Sequence, residues 1–354
     1  MNGHKSLELL FQYASEYKFH DFTKSFLESA SYLHPSELGD AYLMQSQIKL
    51  FSADETLLED LEQAERYEAA PRFPCLKDQW IPDSPNRFVV FKRTRDALRD
   101  FLQSLPQVGE KMRHWYGEAG VGMVRQMQSE ILYFCGNFNE ALRLAKEQGE
   151  ASQRHCADDI SSQYVQFRCY LAMGSNKEAE RCMLDMIRSA NAHPECLRPY
   201  LIVRDWANLT TGWSGDNPRF SEIPNGEMLP VLEDRLTAIR KGISRLSLSE
   251  EPFVEYAKYR YKEVCTMREH YMDIFHAIYW FQVGDTRQAL AHFMRAYRVS
   301  SASGLVMPFA EYGKQIVSFL RYVRDSGTTC SHDWIAMTVS LAERYEESLR
   351  AYRD

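Results

Sequence analysis

Long amphipathic stretches dominate the chain, and the breaks between them fall on a recurring local pattern. Tyr133-Phe-Cys-Gly-Asn-Phe-Asn-Glu-Ala141, Leu171-Ala-Met-Gly-Ser-Asn-Lys-Glu-Ala179 and Phe281-Gln-Val-Gly-Asp-Thr-Arg-Gln-Ala289 each place an alanine five positions after a glycine. With helical faces on both sides, each segment is predicted to be a helix, a tight turn at the glycine and a second helix. Upstream, residues 5–67 carry the pattern of about four helices, clearest over 36–50 and 55–67. Four prolines within 70–85 end that block before the next helix begins near Arg95.

The hairpin around Gly284 shows what the small residues are for. Ala277, Trp280, Gly284, Ala289, Phe293 and Ala296 fall at the spacings of a tetratricopeptide (TPR) repeat, in which small side chains let two helices approach and aromatics plug the remaining gap. Around Gly136 the corresponding residues are Ser129, Leu132, Phe138 and Ala141. Around Gly174 they are Phe167, Tyr170 and Ala179, with Phe167 where the other two hairpins have a small residue. Gly136 and Gly174 stand 38 positions apart, a little more than the 34 or so of a strict TPR repeat, so helices slightly longer than standard are expected. Between Gly174 and Gly284 the turn-rich segment 211–226 is too long for a plain helix–helix connection and reads as an insertion.

The predicted fold is therefore all-α, a right-handed α-solenoid of TPR-like helical hairpins. Its parts are N-terminal hairpins over 1–70, a proline-rich linker over 71–91, repeats over 92–304 with the insertion near 211–230, and capping helices over 305–354.

Composition agrees with this and removes several alternatives. Of 354 residues, 45% are hydrophobic and 26% charged, the balance of a globular chain. Glycine and proline number only 17 and 13, scarce enough to disfavour a fold of many short strands. No window approaches the length of an apolar membrane span, and the N-terminal stretch acquires acids and histidines before a signal-peptide core could form. The net charge of −7 makes the chain by itself a poor nucleic-acid binder. The eight cysteines are scattered with no CxxC pair, so they read as small buried hydrophobes of a reducing, cytoplasmic compartment.

A search for catalytic or cofactor signatures returns no set. Gly117-Glu-Ala-Gly-Val-Gly122 lacks the Lys-Ser/Thr of a phosphate-binding loop and reads as a helix–helix joint. His193-Pro-Glu-Cys196 and His155-Cys156 have ligand-type atoms without the second pair that a tetrahedral site requires. A non-catalytic chain with no metal and no cofactor is expected.

Repeat geometry instead locates a working surface. The concave wall of such a stack is lined by one stripe of each first helix, here Met123, Gln126, Glu130 and Tyr133, then Tyr164 and Arg168, then Tyr271, Ile274, Ile278 and Gln282. Aromatic planes with a few hydrogen-bonding groups suit a small-molecule effector or a partner protein. The same tyrosines would equally serve to bridge neighbouring helices with their hydroxyls in water.

The last third adds a resemblance. Ala296-Tyr-Arg-Val-Ser-Ser-Ala-Ser-Gly304-Leu-Val-Met-Pro-Phe309-Ala-Glu-Tyr-Gly313, followed by Trp334-Ile-Ala-Met-Thr-Val-Ser-Leu, resembles the end of the helical-repeat region of LuxR-type, MalT-like transcriptional regulators. In that family a nucleotide-binding domain precedes the repeats, the repeats take up inducers or partner proteins, and a helix-turn-helix follows. The chain has no Walker-type loop and ends at Asp354, as expected of a piece restricted to the repeat region. The resemblance thus implies a sensor and interaction role, with DNA reached only through a separate helix-turn-helix domain and with self-association open to the stack. A general TPR scaffold without an effector is the alternative.

Overall fold

A computed structural model describes residues 34–51, 53–69, 97–151, 156–211 and 266–352. The helices expected within 1–33, the proline-rich linker 71–91 and almost all of the insertion near 211–230 lie outside the described residues. Within them the chain is all-helical: α1 (Pro35–Phe51), α2 (Leu57–Arg66), α3 (Ala97–Phe134), α4 (Phe138–Ala151), α5 (Cys156–Met173), α6 (Asn176–Ala192), α7 (Leu197–Thr211), α8 (Thr266–Gln282), α9 (Thr286–Ser303), α10 (Met307–Ala310), α11 (Lys314–Asp325) and α12 (His332–Arg350). No described helix is long and apolar enough to cross a membrane. Two compact units divide these residues, one with 34–69 and 97–128, the other with 129–211 and 266–352.

In the first unit, α1 and α2 form an antiparallel hairpin. Leu57, Leu61 and Ala64 repeat at helical spacing on α2 and are fully buried, as are Ala41, Leu43 and Leu50 of α1. The turn between them is fixed by Asp54, whose carboxylate accepts from the Thr56 amide at 3.0 Å and its hydroxyl at 2.7 Å. Asp60 breaks the apolar stripe of α2. It is 5% exposed, pairs with Lys49 at 2.8 Å and accepts from Gln45 at 3.3 Å. Within α3, Gly117 leaves the helical region (φ 58°, ψ −144°), so 97–134 is two helices meeting at the predicted joint.

The second unit carries the three repeated turns. Gly136, Gly174 and Gly284 have φ of 82°, 73° and 89°, where a Cβ is strained. At the first two, the amides of Asn137 and Ser175 reach back to Leu132 and Tyr170 carbonyls at 2.9 Å, closing the helix end with the same six-to-one bond. The residues expected to let helices approach do so: Ala141, Ala179, Ala277, Ala289 and Phe293 are all fully buried. Phe167, out of pattern, is accommodated edge-on against Trp206 of α7 at 6.0 Å.

The chain's C-terminal helices close on its middle. α12 packs against α5 and α10, the Val306 amide donates to the Phe134 carbonyl at 2.9 Å, and Tyr352 donates to the Asn176 carbonyl at 3.0 Å. An aromatic cluster of Phe293, Phe309, Phe319, Tyr297 and Trp334, with centroids 5.1–6.0 Å apart, fills the space between α9, α10, α11 and α12. One cysteine corrects the expectation of a uniformly reduced set: Cys196 is disulfide-bonded. Cys135, Cys169, Cys182 and Cys330 are free thiols, and burial pushes Cys135 and Cys182 up to about 12, which makes them inert.

Burial pushes the Asp60 carboxyl up to about 6, against the opposing pull of Lys49. The folded state thus binds this proton more tightly than the unfolded chain, whose carboxyl titrates near 3.8. The group's contribution is complete below that value and is lost as pH rises through about 6. Unfolding by urea at a series of pH values should show stability falling by about 3 kcal/mol across this window. Asp60→Asn should flatten that segment of the curve; a wild-type slope in the variant would refute the assignment.

Candidate functional site

Glu311 is the one acid in the run Leu305-Val-Met-Pro-Phe-Ala-Glu-Tyr-Gly313. It follows the single-turn helix α10, and the chain then reverses at Gly313 (φ 53°) into α11. Glycine suits the reversal because its φ of 53° is strained for a residue with a side chain, and an added Cβ would also displace the Glu346 carboxylate, 2.3 Å away. Every residue of 305–313 is buried, so the Glu311 carboxylate enters the interior of the second unit.

Its partners come from three helices. Arg168 of α5 donates through Nη2 to Oε1 at 2.6 Å, and the Tyr133 hydroxyl, from the end of α3, donates to the same oxygen at 2.6 Å. Tyr271 of α8 donates to Oε2 at 3.1 Å. The guanidinium carbon of Arg168 lies 4.3, 4.9, 5.1 and 5.5 Å from the ring centroids of Tyr133, Phe134, Tyr164 and Trp206. A cation ringed by π-faces and bonded to a carboxylate recovers part of the solvation lost on burial. The side chains of Arg168 and Glu311 are 4% and 0% exposed.

The electrostatics keep both charges in place. Burial by itself would pull the Arg168 guanidinium down, but Glu311 and the surrounding tyrosines hold it well above its usual range. Burial, reinforced by the adjacent Glu311 charge, lifts the Tyr133 hydroxyl well above the ordinary phenol range, so it remains a donor. The cluster is a buried polar core that links α3, α5, α8 and the 305–313 segment.

Of the seven polar or aromatic residues in the predicted stripe, four, Tyr133, Tyr164, Arg168 and Tyr271, are thus brought together, but inside rather than on an open wall. Gln126 and Glu130 are also buried, at 4% and 1% exposure. Gln126 belongs to the first unit and Glu130 to the second. Gln282 alone is exposed, at the C-terminal end of α8. The Tyr133 and Tyr271 hydroxyls donate to the Glu311 carboxylate, which the buried 305–313 segment brings against them. Sequence reasoning missed Glu311 and Trp206. The available signal was complementary: a lone acid and a lone base, each inside an otherwise apolar run, must be paired if buried.

His193 is exposed at the end of α6, and Pro194–Cys196 form a 3₁₀ turn. His155 lies outside the described residues. No group of three or more His, Cys, Asp or Glu among the described residues is placed to hold a metal.

Removing one member of the pair strands the other charge in the interior, so Glu311→Gln or Arg168→Met should each cost about 3–5 kcal/mol. Arg168→Met combined with Glu311→Leu removes both charges and should recover most of that loss. A double-mutant cycle read by denaturant unfolding will show a coupling energy of several kcal/mol; additive losses would mean that the pair is not the unit described. The chain matches no protein-family model, no curated protein and no solved structure.

Proposed function

We propose that this chain is the ligand-sensing and protein-interaction module of a LuxR/MalT-type transcriptional regulator, a non-catalytic right-handed α-solenoid of TPR-like hairpins. The observation that carries the reading is the repeated turn. Three glycines at positive φ are each followed, five residues on, by an alanine with no exposed surface, the small-residue nesting that stacked helical hairpins require. The polar cluster supplies the sensing element: four parts of the chain meet on one carboxylate, so a ligand that favours one packing of these helices shifts the population of the whole unit. Effector or partner protein binds this module, and DNA is reached through a helix-turn-helix domain elsewhere.

A second reading, a TPR scaffold without a small-molecule effector, gains from the same cluster. Tyr133, Tyr164, Arg168 and Tyr271, which an effector groove would have used, are already committed to Glu311 and to one another.

Thermal unfolding in the presence of a metabolite library separates the two. A true effector present at about one hundred times its Kd adds about 2.7 kcal/mol, or roughly 5–10 °C for a unit of this size. The shift should shrink in Tyr271→Phe, which removes one hydroxyl from the cluster and keeps the ring. A library without a stabilising compound would defeat the effector reading and leave the scaffold; a shift unchanged by Tyr271→Phe would place the effector away from the cluster.

A further inference from the structure

The second unit has a charged face that the buried cluster does not use. α9 runs 18 residues, Thr286–Ser303, with Arg287, Arg295 and Arg298 and not one acid. In a chain whose 49 acids outnumber its 42 basic residues, this is a local reversal of sign. The buried side of α9 is Ala289, Phe293, Ala296, Tyr297 and Ser300. The three arginines and Ala291 are exposed and fall within about 80° of one another on the opposite side, at the ordinary helical rotation per residue.

The arginines are not equivalent. Arg295 is anchored by Nε and Nη2 to one oxygen of Asp273 at 3.0 and 2.8 Å. His292 contacts the same oxygen at 3.0 Å and stacks on His276 with centroids 4.7 Å apart. Asp273 is therefore spoken for by its own hairpin. Among the described residues no carboxylate pairs with Arg287 or Arg298. Arg287 also stands in the first turn of α9, two residues after the N-cap Asp285, where the helix dipole disfavours a cation. Helix stability does not account for its placement.

Two guanidinium groups eleven residues apart on one face are about 16 Å apart along the axis, the distance between carboxylates three turns apart on a second helix. Each is a planar fork matched to a carboxylate, and the small Ala291 between them lets another helix approach. Three cations release too few counterions to hold a polyphosphate against a net charge of −7. We propose that the exposed face of α9 docks an acidic helical segment of a partner protein, with carboxylates three turns apart meeting Arg287 and Arg298 beside the fixed Arg295. This surface stands independently of the sensor reading.

The test uses the full chain and a labelled alanine-based helical peptide with Glu at i, i+4 and i+11, followed by fluorescence anisotropy at low salt. Binding should weaken at least about tenfold when the peptide's Glu are replaced by Gln, and about as much in the Arg287→Glu/Arg298→Glu variant. Arg287→Lys/Arg298→Lys should keep most of the affinity, and Arg188→Glu, which reverses a charge on α6, should leave it intact. Circular dichroism reports whether the reversed variant is folded; if it is not, Arg287→Gln and Arg298→Gln singly carry the same expectation at about threefold each. Equal binding by the folded reversal variant or by the Gln peptide overturns the proposal. So does a single-stranded oligonucleotide of equal charge that binds more tightly and competes at the same arginines.

Discussion

The second unit depends on a constraint of solvation. Arg168 and Glu311 have both left water, and in a low-dielectric interior neither charge is tolerable without the other. Everything nearby follows from meeting that demand. Two tyrosine hydroxyls donate to the carboxylate, four aromatic rings face the guanidinium, and the segment that carries Glu311 is held against α3 and α5, which lie more than one hundred residues earlier in the chain. Such an arrangement commonly contributes little more to stability than an apolar filling of equal volume would. Its effect is on which structure forms.

Local turn chemistry sets the stage for that pair. The left-handed turn at Gly136 ends α3 directly after Tyr133 and Phe134, leaving both rings against Arg168. The turn at Gly313, at a φ of 53° that favours glycine, ends the short excursion that delivers Glu311 and starts α11 beside Glu346. Backbone positions of this kind decide where a side chain emerges; the charges then decide whether the assembled helices can stay together.

This division also explains what could be read from the sequence. The helices, the glycine turns and the buried alanines are local and periodic, so α1 and α2 and the hairpins at Gly136, Gly174 and Gly284 were legible from spacing alone. Tyr133, Tyr164, Arg168 and Tyr271 fell into one predicted stripe by helical spacing, counted back from the turn glycines. Their burial was not, because it depends on Glu311, some 140 positions beyond Arg168 in chain order and outside any repeat. Trp206 escaped for a similar reason: nothing in α7 follows the hairpin pattern, yet its indole closes the ring around the guanidinium. The disulfide at Cys196 was likewise invisible, since scattered cysteines reveal no pairing until the chain is folded.

Helical hairpins that resemble one another raise a problem of specificity, because a slipped or exchanged packing would bury similar apolar faces almost as well. A single buried ion pair removes that degeneracy. Shifting α5 by one turn relative to the 305–313 segment would leave the aliphatic and aromatic contacts broadly replaceable, but it would carry Arg168 about 5 Å from Glu311 and strand two charges where neither can be hydrated. The penalty for each is several kcal/mol, comparable to the whole net stability of an ordinary domain. The same term that makes the pair a poor source of stability therefore makes it an effective selector of register. The alternatives to the native packing are therefore few and separated by a definite cost, and do not form a continuum of slipped states.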